Sequence, residues 1–266
     1  MNDKINQDGI NKTLWAACDT FRGTITADTY KDFILTMLFL KYISDVWQDH
    51  YDQYQDQYGD EPELIEEMMK NERFVLPKEA SLYALFERRH EPGNGERIDQ
   101  ALHAIEEANG TKLKDAGKSV FQDITFNTDR LGEEKQKNTI LRHLLEDFAR
   151  PELNLKPSRV GTLDVIGNAY EYLIKNFAAS GGQKAGEFYT PPEVSELIAE
   201  LLDPQPGDSI CDPACGSASL LMKCGSKVRT NHNGKNYAPY GQEPIAPTWS
   251  LDKMNMLPHG PANPSI

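Results

Sequence analysis

The sequence predicts an α-helical N-terminal domain over residues 1–150, followed over residues 151–266 by the start of an α/β Rossmann-like domain. Apolar residues recur at helical spacing through the first half, and two prolines interrupt that rhythm in the segment 150–161. The second half then carries a short apolar segment, a small-residue loop and a further helix. A chain of 266 residues, 39% of them hydrophobic, is long enough for two cores.

The first half contains six segments with helical periodicity. We predict helices at 13–21, from about 28 onward, and at 61–71, 80–89, 96–108 and 133–148. Gly23 follows the first segment in the manner of a helix C-cap, and short polar turns with Gly or Pro separate the others. These features indicate one helical domain.

Nothing in the sequence indicates secretion or a membrane span. The polar opening MNDKINQDGI lacks an apolar signal region. The most apolar run, residues 33–46, is interrupted by Lys41 and Asp45 and is shorter than the roughly 20 residues that a span requires. We therefore expect a buried helix there, a cytoplasmic protein and no membrane partner.

The cysteines indicate neither disulfides nor a metal. Four cysteines in a chain without a secretory signal fit a reducing compartment. No C-x-x-C pair occurs, so zinc binding is disfavoured and no metal site is predicted. We expect Cys211, Cys215 and Cys224 to be small packing residues.

The charge of the chain bears on its partners. Its formal net charge is -13, whereas direct binding of duplex phosphate requires clustered Lys and Arg. The chain alone should bind DNA poorly, so a partner would supply much of the contact with DNA. The acidic, aromatic stretch 47–60 is an amphipathic helix end or a partner surface, since no basic residues accompany its tyrosines.

A helix at 163–178 and a small-residue segment at 179–186 lead to the stretch GEFYTPPEV. Pro191 and Pro192 suit the first turn of a helix predicted at 193–202, with Thr190 as its N-cap. Phe188 and Tyr189 then lie just outside a helix start. They form either a hydrophobic staple or a ligand contact, and the local sequence does not separate these two interpretations.

The segment DSICDPACGSASLLMKC predicts a strand, a tight loop and a helix. Residues 209–212 are expected to form a short buried strand that ends in Asp212, and a helix should run over 217–228. The loop is rich in small residues, which let a ligand approach the backbone: Ala214, Gly216, Ser217, Ala218 and Ser219. An acid at the strand end favours a cationic ligand over a pyrophosphate, and G-x-G-x-x-G is absent.

A second strand is predicted in KNYAPYGQE, with Glu243 at its end. In a β-α-β unit an acid at this place accepts hydrogen bonds from ribose hydroxyls. Considered by itself, Glu243 is interpreted as an ordinary surface carboxylate. Considered together with Asp212, it is interpreted as a ribose ligand. Pro239 and Pro247 are expected to weaken this strand and the helix after it, because each removes a backbone hydrogen bond.

Three segments, GEFYTPPEV, DPACGSASLLMK and YGQE…KMNMLPHG, closely resemble the modification (methyltransferase) subunit of type I restriction-modification systems. LWAACDTFRG and YKDFILTMLFLKYISD also resemble the N-terminal domain of that subunit, so the resemblance covers nearly the whole chain. It implies an S-adenosylmethionine-dependent methyltransferase domain that methylates N6 of adenine in DNA. It also implies a complex with a specificity subunit and a restriction subunit, which would supply most of the contact with double-stranded DNA.

The resemblance implies the cofactor-binding residues at matching positions. The segment before the helix would wall the pocket: Glu187, Phe188, Tyr189, Thr190, Pro191 and Pro192. The loop would lie beneath the methionine part of the cofactor: Asp212, Gly216, Ser217, Ala218 and Ser219. Glu243 would hold the ribose. Many family members have Gly where this chain has Ala218, and we expect only modest interference with binding.

The resemblance also implies a catalytic Asn/Asp-Pro-Pro-aromatic motif, which binds a flipped adenine. Asn263 and Pro264 are followed by Ser and Ile, so we interpret this dipeptide as a coincidental turn and assign no catalytic residue. We expect the chain to be truncated before the motif and inactive alone. The alternatives are a non-catalytic helical interaction module for a partner subunit or DNA and, less favoured, a nucleotide-dependent oxidoreductase.

Overall fold

The computed structural model describes residues 7–115, 117–160, 165–181, 189–232 and 237–259. The chain divides into two compact units. The first comprises the residues up to Gly110 and the segment Ile124–Ala169, and the second comprises Thr111–Asp123 and the residues from Tyr170 onward. The domain bounds 1–150 and 151–266 remain a prediction. The segment 111–123 lies in the second unit, although its neighbours in sequence on both sides lie in the first.

Helices dominate the first part of the chain. Their bounds are α1 Gln7–Ala17, α2 Ala27–Tyr58, α3 Pro62–Lys70, α4 Leu82–Glu87, α5 Asn94–Asn109, α6 Glu134–Phe148, α7 Pro157–Val160 and α8 Val165–Gly181. The predicted helices are confirmed, most within two or three residues of their bounds. The helix predicted at 13–21 instead begins at Gln7, ends at Ala17 and continues as a 3-10 turn. The helix α4 is shorter than predicted because Ser81 caps its start, accepting from the backbone N–H of Ala84.

The long helix α2 forms the centre of the first unit. Its apolar residues from Phe33 to Ile43 are almost all buried, as the apolar run predicts. The ring of Phe33 stacks on Phe21 at 5.6 Å and contacts Phe126 at 5.0 Å between centroids. None of the described helices is long and apolar enough to cross a membrane.

The second unit contains two small sheets. Strands β1 Lys114–Asp115 and β2 Lys118–Ser119 form an antiparallel hairpin, which the sequence analysis did not predict. Strands β3 Ser209–Asp212 and β4 Ala238–Gly241 are parallel, and α10 Ser219–His232 connects them into a β-α-β unit. The helix α9 Pro192–Leu202 precedes β3, and α11 Ala246–His259 follows β4.

Several expectations for this unit are wrong. β3 has the predicted bounds but is not buried, because Ser209 and Cys211 are exposed. Cys211 is therefore not a packing residue, whereas Cys215 and Cys224 are buried. Pro247 lies in the first turn of α11, where a missing N–H costs nothing, so it does not weaken that helix. Pro239 lies within the paired strand β4, and the weakening of that strand stays a prediction.

The helix α9 buries the face opposite to the one its sequence suggests. The small residues Ser195 and Ala199 are buried, and α9 packs against α10. The large apolar side chains are exposed instead: Val194, Leu197, Leu201 and Leu202. Hydrophobic periodicity places these residues on one side of the helix but does not say which side faces the rest of the unit.

Candidate functional site at the carboxyl ends of two parallel strands

The parallel register of β3 and β4 brings their carboxyl ends to one edge. Asp212 pairs with Gly241, and the backbone N–H of Gln242 donates to the carbonyl of Asp212 at 3.0 Å. Beyond the strands, the N–H of Cys215 donates to the carbonyl of Gln242 at 3.1 Å. The loop after β3 is thus tied to the segment after β4, so Asp212 and Glu243 lie at the same end of the sheet.

Each of these two carboxylates has one oxygen engaged locally. Oδ1 of Asp212 accepts from the N–H of Ala214 at 3.0 Å, and Oε1 of Glu243 accepts from the N–H of Ile245 at 2.8 Å. Asp212 is half-buried and Glu243 is only 9% exposed. Within the described part of the chain, the second oxygen of each carboxylate has no hydrogen-bond partner and is available to a ligand.

The loop between β3 and α10 needs small residues. Gly216 and Ala218 both have positive φ, at 57° and 61°, where any side chain is strained and a bulky one most of all. The helix α10 therefore begins at Ser219 and not at Ser217 as predicted. Ser217 and Ser219 are buried, and their hydroxyls lie 3.0 Å apart.

The helix α11 supports this loop from within the second unit. Nδ2 of Asn255 donates to the carbonyl of Ser217 at 2.8 Å, and Sγ of Cys215 donates to Oδ2 of Asp252 at 2.7 Å. Both α11 side chains are fully buried. The sequence analysis missed these two residues; the only signal was their spacing of three positions, in a helix that also carries other polar residues such as Thr248, Ser250 and Lys253.

Burial governs the acid-base behaviour around Asp252. Burial of its carboxyl, with the negative charges of Glu243 and Asp212 adding to it, raises its pKa to about 7 despite opposing effects from Cys215 and Lys253. Burial likewise raises the pKa of the Cys215 thiol, with Asp252 as the next cause. Cys215 is therefore a neutral hydrogen-bond donor at physiological pH and not a nucleophile.

The segment before α9 only partly follows the prediction. Thr190 does not cap α9: Pro191 precedes the helix, no side chain caps it, and Pro192 is its first residue. The hydroxyl of Tyr189 is buried without a hydrogen-bond partner, and burial, with Glu193 and Glu171, raises its pKa. No hydrogen bond or ion pair among the described residues joins 189–192 to Asp212 or Glu243.

Some predicted site residues lie outside the described residues. These are Glu187 and Phe188; the dipeptide Asn263-Pro264, which was interpreted as a coincidental turn, also lies outside them. The described site therefore consists of the two strand ends and the loop between them. The cofactor role of every predicted site residue stays a prediction.

The arrangement suits a ligand that carries both a positive charge and a ribose. Two carboxylates at one edge attract a cation and can accept hydrogen bonds from vicinal hydroxyls. The small loop residues allow a close approach to the backbone. The two carboxylates, as hydrogen-bond acceptors with negative charge, therefore fit a sulfonium nucleoside better than a dinucleotide pyrophosphate.

Comparison with known families gives two matches along the chain. Residues 10–148 match the family described as HsdM N-terminal domain, and residues 161–266 match the family described as N-6 DNA Methylase. The first match covers more than half of the chain.

The chain is also similar to individual proteins. It is 28% identical to the type I restriction enzyme MpnII methylase subunit of Mycoplasma pneumoniae, over 95% of this chain and 50% of that protein. It is 30% identical to the MjaVIII methylase subunit of Methanocaldococcus jannaschii, over 97% of this chain and 42% of that protein. The crystal structure of a type I restriction-modification methyltransferase subunit from Streptococcus thermophilus matches with a TM-score of 0.79 and 26% identity, covering 96% of this chain and 57% of that one. The chain spans about half the length of the curated relatives it matches.

Proposed function

The chain belongs to the family of methylase subunits of type I restriction-modification systems, and we propose that it carries the cofactor-binding part of an N6-adenine DNA methyltransferase. The observation that carries the proposal is the placement of Asp212 and Glu243 at adjacent carboxyl ends of two parallel strands. A β-α-β unit with this pattern binds nucleosides beyond its strand ends.

The proposed cofactor is S-adenosylmethionine, which when bound supplies a methyl group on a positively charged sulfur. Glu243 would accept hydrogen bonds from the ribose hydroxyls through its unengaged oxygen. Asp212 would stabilise the positive charge, and the loop 216–219 would lie beneath the methionine part. Glu187, Phe188, Tyr189, Thr190, Pro191 and Pro192 are proposed to complete the wall of this pocket.

The proposed substrate is adenine in double-stranded DNA, and the proposed partners are a specificity subunit and a restriction subunit. The net charge of -13 supports this division, because a chain so acidic gains little from phosphate contacts of its own. All four cysteines are free, which fits the cytoplasm as the place of action. We assign no catalytic residue within this chain.

Isothermal titration of the full chain with S-adenosylmethionine tests the proposal. Each of Asp212→Ala and Glu243→Ala should raise Kd at least about tenfold, because each removes a charged hydrogen-bond acceptor. Asp208→Ala is the matched control: this exposed aspartate lies just before β3 and caps only the turn at Gln205. Absence of binding by the unaltered chain, or unchanged Kd in both variants, would refute the proposal.

A groove in the first unit favours a second role, the docking of a partner subunit. A cavity of about 440 Å³ lies between α2 and α3 and is lined by Trp47, Tyr51, Ile65 and Met69, among others. The rings of Trp47 and Tyr51 are stacked with centroids 5.2 Å apart, and such aromatics anchor interfaces.

Capture of the full chain by an immobilised specificity subunit tests this second role. Tyr51→Glu places a charge in the groove and should weaken capture at least about tenfold. Tyr58→Glu, at the end of α2 and outside the groove, is the control. Equal capture of both variants and the unaltered chain would exclude docking through this groove.

A further inference from the structure

The hairpin 111–123 has an unusual place in the chain. It interrupts the helical first unit in sequence but belongs to the second unit in space. Its inner residues Leu113 and Val120 are fully buried, and the N–H of Val120 donates to the carbonyl of Leu113 at 3.0 Å. The two buried side chains and the backbone hydrogen bond therefore hold the hairpin in place within the second unit.

Two lysines join the hairpin to the segment after β4. Nζ of Lys118 donates to the backbone carbonyl of Glu243 at 3.1 Å, across 125 positions of sequence. Nζ of Lys253 pairs with Asp115 of the hairpin at 3.3 Å. Both ammonium groups also lie over the ring of Trp249, at 5.5 and 5.6 Å from its centroid.

These contacts fix Glu243 from two directions. Lys118 holds its backbone carbonyl, and the N–H of Ile245 holds Oε1 of its carboxylate. A glutamate at the start of a loop otherwise has free backbone and side-chain rotations. Because both groups are held, the second carboxylate oxygen, Oε2, has a fixed orientation. A fixed orientation is needed to recognise a pair of ribose hydroxyls.

We infer that Lys118 is a positioning residue for Glu243, and that the hairpin 111–123 contributes to the nucleoside site by holding Glu243 through Lys118. The inference rests on the proposed function. It assigns to the N-terminal half of the sequence a direct share in the selectivity of the site for ribose.

The test compares two ligands, S-adenosylmethionine and its 2′,3′-dideoxy analogue, by isothermal titration of the full chain. The unaltered chain should prefer the ribose form by about tenfold or more, because a carboxylate built to accept hydroxyls is left unpaired by the analogue. Lys118→Met keeps an unbranched side chain but loses the N–H donor and the ammonium over Trp249, and should reduce this preference to about threefold or less. Lys118→Arg keeps a donor and should retain the preference.

Lys156→Met is the control for loss of a paired lysine, since Lys156 pairs with Asp52 in the first unit. It should leave the preference unchanged. An unchanged preference in Lys118→Met, or an equal loss of affinity for both ligands, would overturn the positioning role while the proposed function stands. Failure of the unaltered chain to bind either ligand would overturn the proposed function and this inference together.

Discussion

The two units differ in how their buried carboxylate and amide oxygens are satisfied, although the first unit also holds buried guanidinium Nε atoms without a partner, in Arg97 and Arg142. In the helical unit, Asp45 is fully buried and both of its oxygens are bonded: Lys41 and Tyr83 reach Oδ1 at 2.7 and 2.5 Å, and the N–H of Leu155 reaches Oδ2 at 2.6 Å. In the second unit, Asp252 and Asn255 are equally buried, but each keeps an Oδ1 without a partner.

The same contrast holds for the backbone. The positive-φ residues described in the first unit are all glycines, whereas the second unit holds Ala218 at 61° in the loop between its strands, and also Asp203 at 43° after α9. Unsatisfied polar atoms and strained backbone cost free energy, and they persist where a site requires them. The difference supports the proposal that the helical unit is a scaffold and that the strand-end loop forms the ligand site.

The largest expected effect breaks the scaffold and leaves the site intact. Asp45→Ala leaves the Lys41 ammonium buried and unpaired, so the free energy of unfolding should fall by about 3–5 kcal/mol. Urea unfolding measures this loss. The Kd for S-adenosylmethionine of the remaining folded protein should not change; a parallel loss of affinity would contradict the division into scaffold and site.

The next effect concerns pH. The pKa of Asp252 is raised from 3.8 to about 7 by burial, so the folded state holds this proton to higher pH than the unfolded state. Its contribution to stability is present below about pH 4 and is lost as pH rises to about 7. Asp252→Asn can still accept from Cys215 and does not titrate.

The unfolding free energy of the unaltered chain should therefore fall between about pH 5 and pH 8, relative to that of Asp252→Asn, by on the order of 3 kcal/mol. Urea unfolding at both pH values checks this difference. If the difference in unfolding free energy between Asp252→Asn and the unaltered chain is the same at both pH values, the pKa of Asp252 is not raised in the folded protein.

A smaller effect is expected at the loop support. Asn255→Leu keeps the volume but leaves the carbonyl of Ser217 unbonded, at a cost of about 1–3 kcal/mol in unfolding free energy and about tenfold in cofactor Kd. Asn176→Leu is the control, because the same substitution removes a side-chain hydrogen bond to the carbonyl of Tyr172, within α8 of the same unit. If both variants alter Kd equally, Asn255 has no special relation to the loop.

The smallest effect is expected at Ala218. Ala218→Gly relieves the positive φ but loses a buried methyl group and gains chain entropy in the unfolded state, so stability should change by less than about 1 kcal/mol. Because the backbone conformation is already that of a glycine, the cofactor Kd should stay within about threefold. Binding tightened tenfold, measured by the same titration, would mean that the alanine distorts the loop.

The sequence predicted what local patterns determine. Helical periodicity located α2, α5 and α6, and the strand-loop-helix pattern gave the bounds of β3. The outward apolar face of α9, the hairpin around Lys118 and the loop support from Asn255 were not predictable, because each depends on which distant element packs nearby. A two-residue strand is too short to show periodicity, and the sequence around a polar residue in a helix does not identify its hydrogen-bond partner.

Hydrogen exchange of the full chain, with and without saturating S-adenosylmethionine, tests the central claim most directly. The claim is that the ends of β3 and β4 close one nucleoside site. Amides in 210–219 and 241–245 should exchange at least about tenfold more slowly when the cofactor is bound. Binding that protects only other regions, such as the groove between α2 and α3, would contradict the account.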